Sequence, residues 1–322
     1  MSGRLFLAGN VIADLVIEVP ALPERGGDVV GTRTELTAGG GFNTLAAAGR
    51  LGAETVFAGL HGTGPYADLV REALAAEGVR TLLPARTDGD TGFTVALVDA
   101  GGERTFVTSF GVDARMTPAE AEEIAADVRA GDLVQLSGYG LVMPVNGPLL
   151  SSLAADLPSG VTVCLDPAPL VADIPAEVLD PVLARTDWLS ANAREAAVMS
   201  GEDEPDRAAA ALRSRLAPAA GVLVRADKDG CWLAPPDGSA PLHVPGFAVE
   251  AVDSSGAGDA HVGAFLALLG EGAEPYAAAR AANASAAYAV ARRGPATAPT
   301  RAELLAFARE RQAEDVAALL ED

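Results

Sequence analysis

VTVCLD (residues 161–166) is apolar or small at nearly every position before it ends on a carboxylate. A strand with one face in water alternates polar and apolar residues, whereas a run without that alternation is covered on both faces. LFLAG (5–9), TVFAG (55–59), DLVQL (132–136), WLS (188–190) and GVLV (221–224) share the character. Alanine-rich helical stretches separate them, and that rhythm implies a parallel sheet with crossover helices. The expected fold class is α/β, a doubly wound, mostly parallel sheet flanked by helices.

Two regions break the rhythm. Residues 11–36 and 92–110, the latter within TGFTVALVDAGGERTFVTSF, read as alternating strands, the second pair around a GG turn. They form a small β-flap. APPDGSAPLHVPG (234–246) reads as a hairpin loop rather than a boundary, and the acidic tail as helix. With no solenoid repeat, residues 1–322 are expected to form a single domain.

The net charge of −21 opposes affinity for nucleic acid or anionic lipid, since phosphate backbones are bound by clustered Lys and Arg. No apolar run reaches the roughly 20 residues of a membrane-spanning helix, and MSGRLFLAGN has no cleavable apolar stretch, so a cytoplasmic protein is expected. Cys164 and Cys231 lack CxxC or Cys/His spacing and read as buried, inert thiols. Lys228 is the only lysine and stands outside any GxxxxGK[ST] loop.

In DSSGAGDAHVGAF (253–265), small residues turn into a helix that starts near Ala257, where successive N–H groups and the positive helix end make an anion cradle. Asp259 falls in the first turn: it either serves a bound molecule or complements the dipole, the latter worth about 0.3–1 kcal/mol. GAGDAH puts His261 where a dinucleotide fingerprint needs its third glycine. AGGGFNTLAAAGRLG (38–52) offers three glycines before a helix with Asn43 at its opening. Asn43 can be a cap, while the glycines exceed what a cap requires and imply close approach of a ligand or strand. Asn192 and Glu195 in SANAREA have capping-box spacing, as do Thr117 and Glu120 in TPAE. Asn283, a polar island in an alanine helix, needs partners in backbone or ligand, and Gly294 suits that helix's cap.

AGGGFNTLAAAGRLG and DSSGAGDAHVGAF, in this order and spacing, resemble the signatures of the PfkB carbohydrate kinases, the ribokinase family. GNVIAD (9–14), TGFTVALVDAGGERT (91–105), SANAREA (190–196) and ARRG extend the resemblance over nearly the whole chain. It implies a ribokinase-like fold with a β-sheet lid and transfer of the γ-phosphoryl group of ATP to a hydroxymethyl group of a small, ribose- or fructose-like sugar. Asp259 would be the base, with an anion hole from the N–H groups of Ser255, Gly256, Ala257 and Gly258. Asp14, Gly39, Gly40 and Asn43 match sugar-binding positions. Asn192, Arg225, Asp227, Gly230, Ser255, Gly258 and Asn283 match nucleotide positions. Asn192 and Glu195 would organise Mg2+ through water, and Asp253 falls where some relatives bind K+. RAD (225–227) stands where relatives usually carry Thr/Ser-x-Gly, Ser137 where ribokinases carry Glu, and DPAP (166–169) where they carry NPAP. A nucleoside kinase, or a catalytically silent sugar- or nucleotide-binding protein, is the alternative. The resemblance also implies a homodimer formed through the lid.

Overall fold

Leu5 and Phe6 are neighbours in the chain and belong to different cores, and this alternation organises the molecule. The computed structural model describes residues 3–321. Met1, Ser2 and Asp322, the outermost residues of the N-terminal and acidic-tail readings, lie outside them. The main sheet contains β1 (Leu5–Ala8), β4 (Thr55–Phe57), β5 (Arg80–Thr81), β8 (Leu133–Ser137), β9 (Thr162–Asp166), β10 (Trp188–Asn192), β11 (Gly221–Arg225), β12 (Gly230–Ala234) and β13 (Leu242–Pro245). A second sheet contains β2 (Val11–Glu18), β3 (Arg33–Gly40), β6 (Phe93–Val98) and β7 (Arg104–Ser109).

The nine-stranded sheet has the order β13-β12-β11-β10-β9-β8-β1-β4-β5, parallel except for the antiparallel edge formed by β12 and β13. Leu5, Leu133, Cys164, Trp188 and Leu223 point to one face. That face is covered by α1 (Phe42–Arg50), α2 (Pro65–Ala76), α9 (Ala257–Gly270), α10 (Pro275–Val290), α11 (Arg301–Glu310) and α12 (Glu314–Glu321). Phe6, Val134, Val163, Leu189 and Val222 point to the other, under α3 (Pro118–Asp127), α4 (Gly138–Leu141), α5 (Asn146–Asp156), α6 (Ala176–Arg185), α7 (Ala193–Ser200) and α8 (Pro205–Arg213). Strands buried on both faces are the reason the runs are uniformly apolar. Each large side chain so buried contributes roughly 1.5–3 kcal/mol.

The four-stranded sheet, in order β3-β2-β6-β7, is the expected lid. Residues 19–32 carry no strand, and β3 runs past residue 36 to Gly40, where the lid meets α1. The Asp113 carboxylate ties the lid's root down by accepting from the N–H groups of Gly92 and Gly111 and from Asn10 Nδ2. The stretch at 234–246 is a hairpin, but its loop ends at β13. The TPAE capping box forms as read, with Thr117 as N-cap and Pro118 in the first turn. Two readings of helix ends are corrected. Gly41, not Asn43, is the N-cap of α1, because Gly40 at φ +61° turns the chain one step earlier. Ala291, not Gly294, caps α10, and Gly294 instead donates its N–H to Asp253 Oδ2. Among the described residues no helix is long and apolar enough to cross a membrane. Cys164 and Cys231 are buried and unpaired.

Candidate active site

The strand order reverses around β1, which lies between β4 and β8, and in open α/β sheets the crevice at the carboxyl ends beside such a reversal is where ligands bind. Ser137, Asp166, Asn192 and Arg225 are the last residues of β8, β9, β10 and β11 and therefore line up on that edge. The lid closes over it, leaving a cleft of about 310 Å³ between β2, β3, β6 and β7 on one side and the N-termini of α1 and α9 on the other.

α9 begins as the sequence implies. Its N-cap is Gly256 in the left-handed region, and a Cβ there would lie 1.9 Å from the Pro295 carbonyl oxygen, so only glycine fits. Two of the four N–H groups expected to form an anion hole are engaged within the turn. The Ser255 N–H donates to Asp253 Oδ1 and that of Ala257 to the Ser254 carbonyl, whereas those of Gly256, Gly258 and Asp259 make no hydrogen bond to a described residue. Three free N–H groups at the positive end of a fourteen-residue helix can receive an anion.

Asp259 stands in that first turn and accepts a 2.9 Å hydrogen bond from Thr44 Oγ1 of α1. Burial pushes its carboxyl up to about 6. The hydrogen bond from Thr44 opposes this, the charge of Asp166 adds to it, and Arg225 pulls the other way. Sequence reasoning missed Thr44, whose partner is remote in the chain. Across the cleft, Asp14 on β2 is also raised to about 6, by burial and then by the charge of Asp259. What approaches the AGGG backbone is protein: a Cβ on Gly39 would fall 1.8 Å from Asp14 Oδ2, one on Gly40 2.8 Å from the Asn10 carbonyl oxygen, and one on Gly41 2.1 Å from the Leu7 side chain. Asn43 Oδ1 and Thr37 Oγ1, both of residues lining the cleft, are buried without a hydrogen-bond partner. Buried polar atoms are seldom left so, and a polyhydroxy ligand would satisfy both. Thr37 carried no signal in the sequence.

Behind the anion site the expected residues converge, with different employment. Asn192 and Glu195 form a reciprocal capping box at the start of α7. Arg225, on the adjacent strand end, points inward: Nη1 donates to Ser190 Oγ at 2.6 Å, and Nη2 lies 3.3 Å from Asp166 Oδ2 and 3.6 Å from Glu195 Oε2. Burial, then the Asp166 charge, raises the Glu195 carboxyl, and Arg225 opposes them. With a guanidinium between Asp166 and Glu195, these two carboxylates do not ligate a divalent ion directly, and Asn192 and Glu195 would act on Mg2+ only through water, as the resemblance implies. No group of three or more His, Cys, Asp or Glu among the described residues could hold a metal either.

Asp227 is exposed, in a short turn at φ +50°. Gly230 at φ +94° serves the β12–β13 hairpin, since a Cβ would lie 2.2 Å from the Val244 carbonyl oxygen. Asn283 is filled by protein. Its Nδ2 donates to the carbonyls of Val244 and Pro245, and its Oδ1 faces His261 Nε2 at 3.1 Å, so both amide hydrogens are spent before any nucleotide base arrives. Burial pushes His261 down to about 3, and the ring is neutral.

Asp253 does not fit the monovalent-cation role. Its Oδ1 accepts from Arg104 of the lid and from Ser255 N–H and Oγ, and its Oδ2 accepts from Gly294 N–H. Arg104 also reaches Ser254 Oγ, and Arg293 pairs with Glu18 of β2 at 3.0 Å, so two ion pairs fasten the lid to the body.

The pfkB family carbohydrate kinase model matches residues 3–302. The uncharacterized sugar kinase YegV of Escherichia coli K12 is 34% identical over 304 residues, covering 94% of this chain and 92% of that protein. The ATP-dependent ribose-1-phosphate kinase of Halopiger xanaduensis is 33% identical over 316 residues, covering 96% and 99%. The ribokinase structure from Giardia lamblia superposes with a TM-score of 0.81 at 25% identity, covering 94% of this chain and 99% of that one. Residues 3–302 include the lid, the glycine turn before α1 and the first turn of α9, and the chain belongs to the pfkB family of carbohydrate kinases.

Proposed function

We propose that the protein transfers the terminal phosphoryl group of ATP to a hydroxymethyl group of a small neutral sugar. The observation that carries this reading is the placement of Asp259 between free N–H groups and a second carboxylate, Asp14, under a lid. A sugar held by Asp14, Asn43 and Thr37 presents a hydroxyl to Asp259, which takes its proton as the phosphorus–oxygen bond forms. The N–H groups of Gly256 and Gly258 stabilise charge on the transferring group, and ADP leaves. A base raised to about 6 is ionised at neutral pH and accepts a proton more readily than an ordinary carboxylate.

The cleft favours a neutral acceptor. Arg33, Arg104 and Arg293 line it, and each is paired with an acid, Arg33 with Glu35, Arg104 with Asp253 and Arg293 with Glu18. A sugar phosphate would have to compete with these acids for the arginines. A coupled ADP-release assay over ribose, fructose, ribose 1-phosphate, keto-deoxy acids and nucleosides tests the reading. Turnover on a neutral sugar is expected. Turnover confined to ribose 1-phosphate would overturn the neutral assignment, and sugar-independent nucleotide binding with no turnover on any member would mark a silent binding protein.

We further infer that two copies pair through the lid, whose edge strand β7 exposes Val107 at 63%. Light scattering should give the dimer mass for the parent and the monomer mass for Val107→Arg; a monomeric parent would end this reading.

A further inference from the structure

We propose that Arg225 is a built-in cation of the phosphoryl-donor site, so that the protein binds the phosphates of a nucleoside di- or triphosphate without a divalent ion bridging them to its carboxylates. The inference rests on the kinase reading only for where the phosphates lie, at the free N–H groups of α9.

The guanidinium is held from three sides. Ser190 takes Nη1 through its hydroxyl and its carbonyl, and Asp166 and Glu195 flank Nη2. Nε makes no hydrogen bond to a described residue, and Nε, Nη2 and Cζ all lie 3.7–3.8 Å from the point a Cβ on Gly258 would occupy. The fixed guanidinium therefore packs against the first turn of α9, beside its free N–H groups. Asp166, Glu195 and Asp259 would together repel a polyphosphate, and an ion between Asp166 and Glu195 is the usual physical remedy. Here that space is taken by a group that is charged at every pH the protein meets and that presents planar donors to phosphate oxygens. The resemblance leads one to expect a hydroxyl at this position, and a hydroxyl could neutralise neither acid.

Titration calorimetry with ADP, in the absence of any sugar, tests this in Mg2+ and in EDTA. The parent protein should bind metal-free ADP within about threefold of its affinity in Mg2+. Arg225→Met should weaken metal-free binding by about 10- to 100-fold, the worth of a charge-assisted contact, with Mg2+ restoring part of the loss. Arg225→Lys, which keeps the charge without the planar fork, should fall between and controls for folding, monitored by circular dichroism. A parent that needs Mg2+ for ADP binding, or an Arg225→Met variant that binds metal-free ADP as the parent does, overturns the proposal. The parent comparison needs no variant, so it stands if Arg225→Met does not fold. Binding of metal-free ADP by a protein that phosphorylates no sugar would refute the kinase reading alone, and sugar phosphorylation with strictly Mg2+-dependent ADP binding would refute this one alone.

Discussion

Thr44 Oγ1 donates a hydrogen bond to Asp259 Oδ1 across 215 positions of chain, joining the helix that follows the lid to the helix that carries the anion site. The contact holds one oxygen of the carboxylate against α1. It also favours the charged form, against the burial that raises this carboxyl.

Asp259→Asn should therefore do two opposite things. Turnover should fall by at least about 10³-fold, as removal of a positioned general base does. Stability at neutral pH should rise. The folded state holds the Asp259 proton more tightly than the unfolded state, so stability is lost as pH climbs from 3.8 towards 6 and stays lost above. That loss is on the order of 2–3 kcal/mol, and asparagine does not incur it. Thermal melts should show the variant more stable above pH 6, with the advantage gone below about pH 4; equal melting curves at pH 7 would contradict the raised carboxyl.

The pH dependence of kcat/KM should fall off on the acid side near 6, where Asp259 takes up its proton. Thr44→Val removes an interaction that lowers this carboxyl and should move the limb to higher pH, with about a tenfold loss of kcat/KM. Asp166→Asn removes a repulsive charge and should move it to lower pH. Limbs that do not move in these opposite directions would assign the acid limb to another group.

Gly39→Ala tests the sugar end separately. The added methyl would fall on Asp14 Oδ2, and the short aspartate must rotate away. KM for the sugar should rise by about tenfold or more, the worth of a hydrogen bond to a charged group, while calorimetric ADP binding stays at the parent value. A matching loss of ADP binding would show general unfolding instead.

Arg104→Met should loosen the lid, since it removes the contacts to Asp253 and Ser254. Amide exchange in β6 and β7 should accelerate, with little change in β8 to β11. Uniform exchange across both sheets would show that Arg104 does not fasten the lid.

Most of the fold could be read because its signals are local. Apolar runs mark buried strands, Thr117 and Glu120 close their box within one turn, and the alternation of TVALV and RTFVT marks lid strands. β13 was hidden because Leu242–Pro245 is an edge strand, exposed except at Val244 and bounded by prolines. Asn43 resembled a cap because caps and ligand-facing amides use the same residue types. The candidate site was legible where one segment sets its own geometry, as in the Gly256 turn that opens α9. It was not legible where meaning comes from a distant partner. Arg225 alone is a departure from a motif, and only the folding of Ser190, Asp166 and Glu195 around it shows what it neutralises. Asn283 marks the reverse case, a polar island that turns out to be filled by its own protein.

The crossing of α1 and α9 has a further implication. Gly263 of α9 lets the backbone of α1 come so near that a methyl there would lie 2.5 Å from the Thr44 carbonyl oxygen and 2.7 Å from Ala47 Cβ. The two helices therefore meet backbone to backbone, which fixes the spacing between Thr44 and Asp259. The lid is tied at its root by Asp113 and over the cleft by the ion pairs Arg104–Asp253 and Arg293–Glu18. Grafting lid strands from one member onto another should change the acceptor while sparing the reaction, whereas exchanging either helix alone should abolish it.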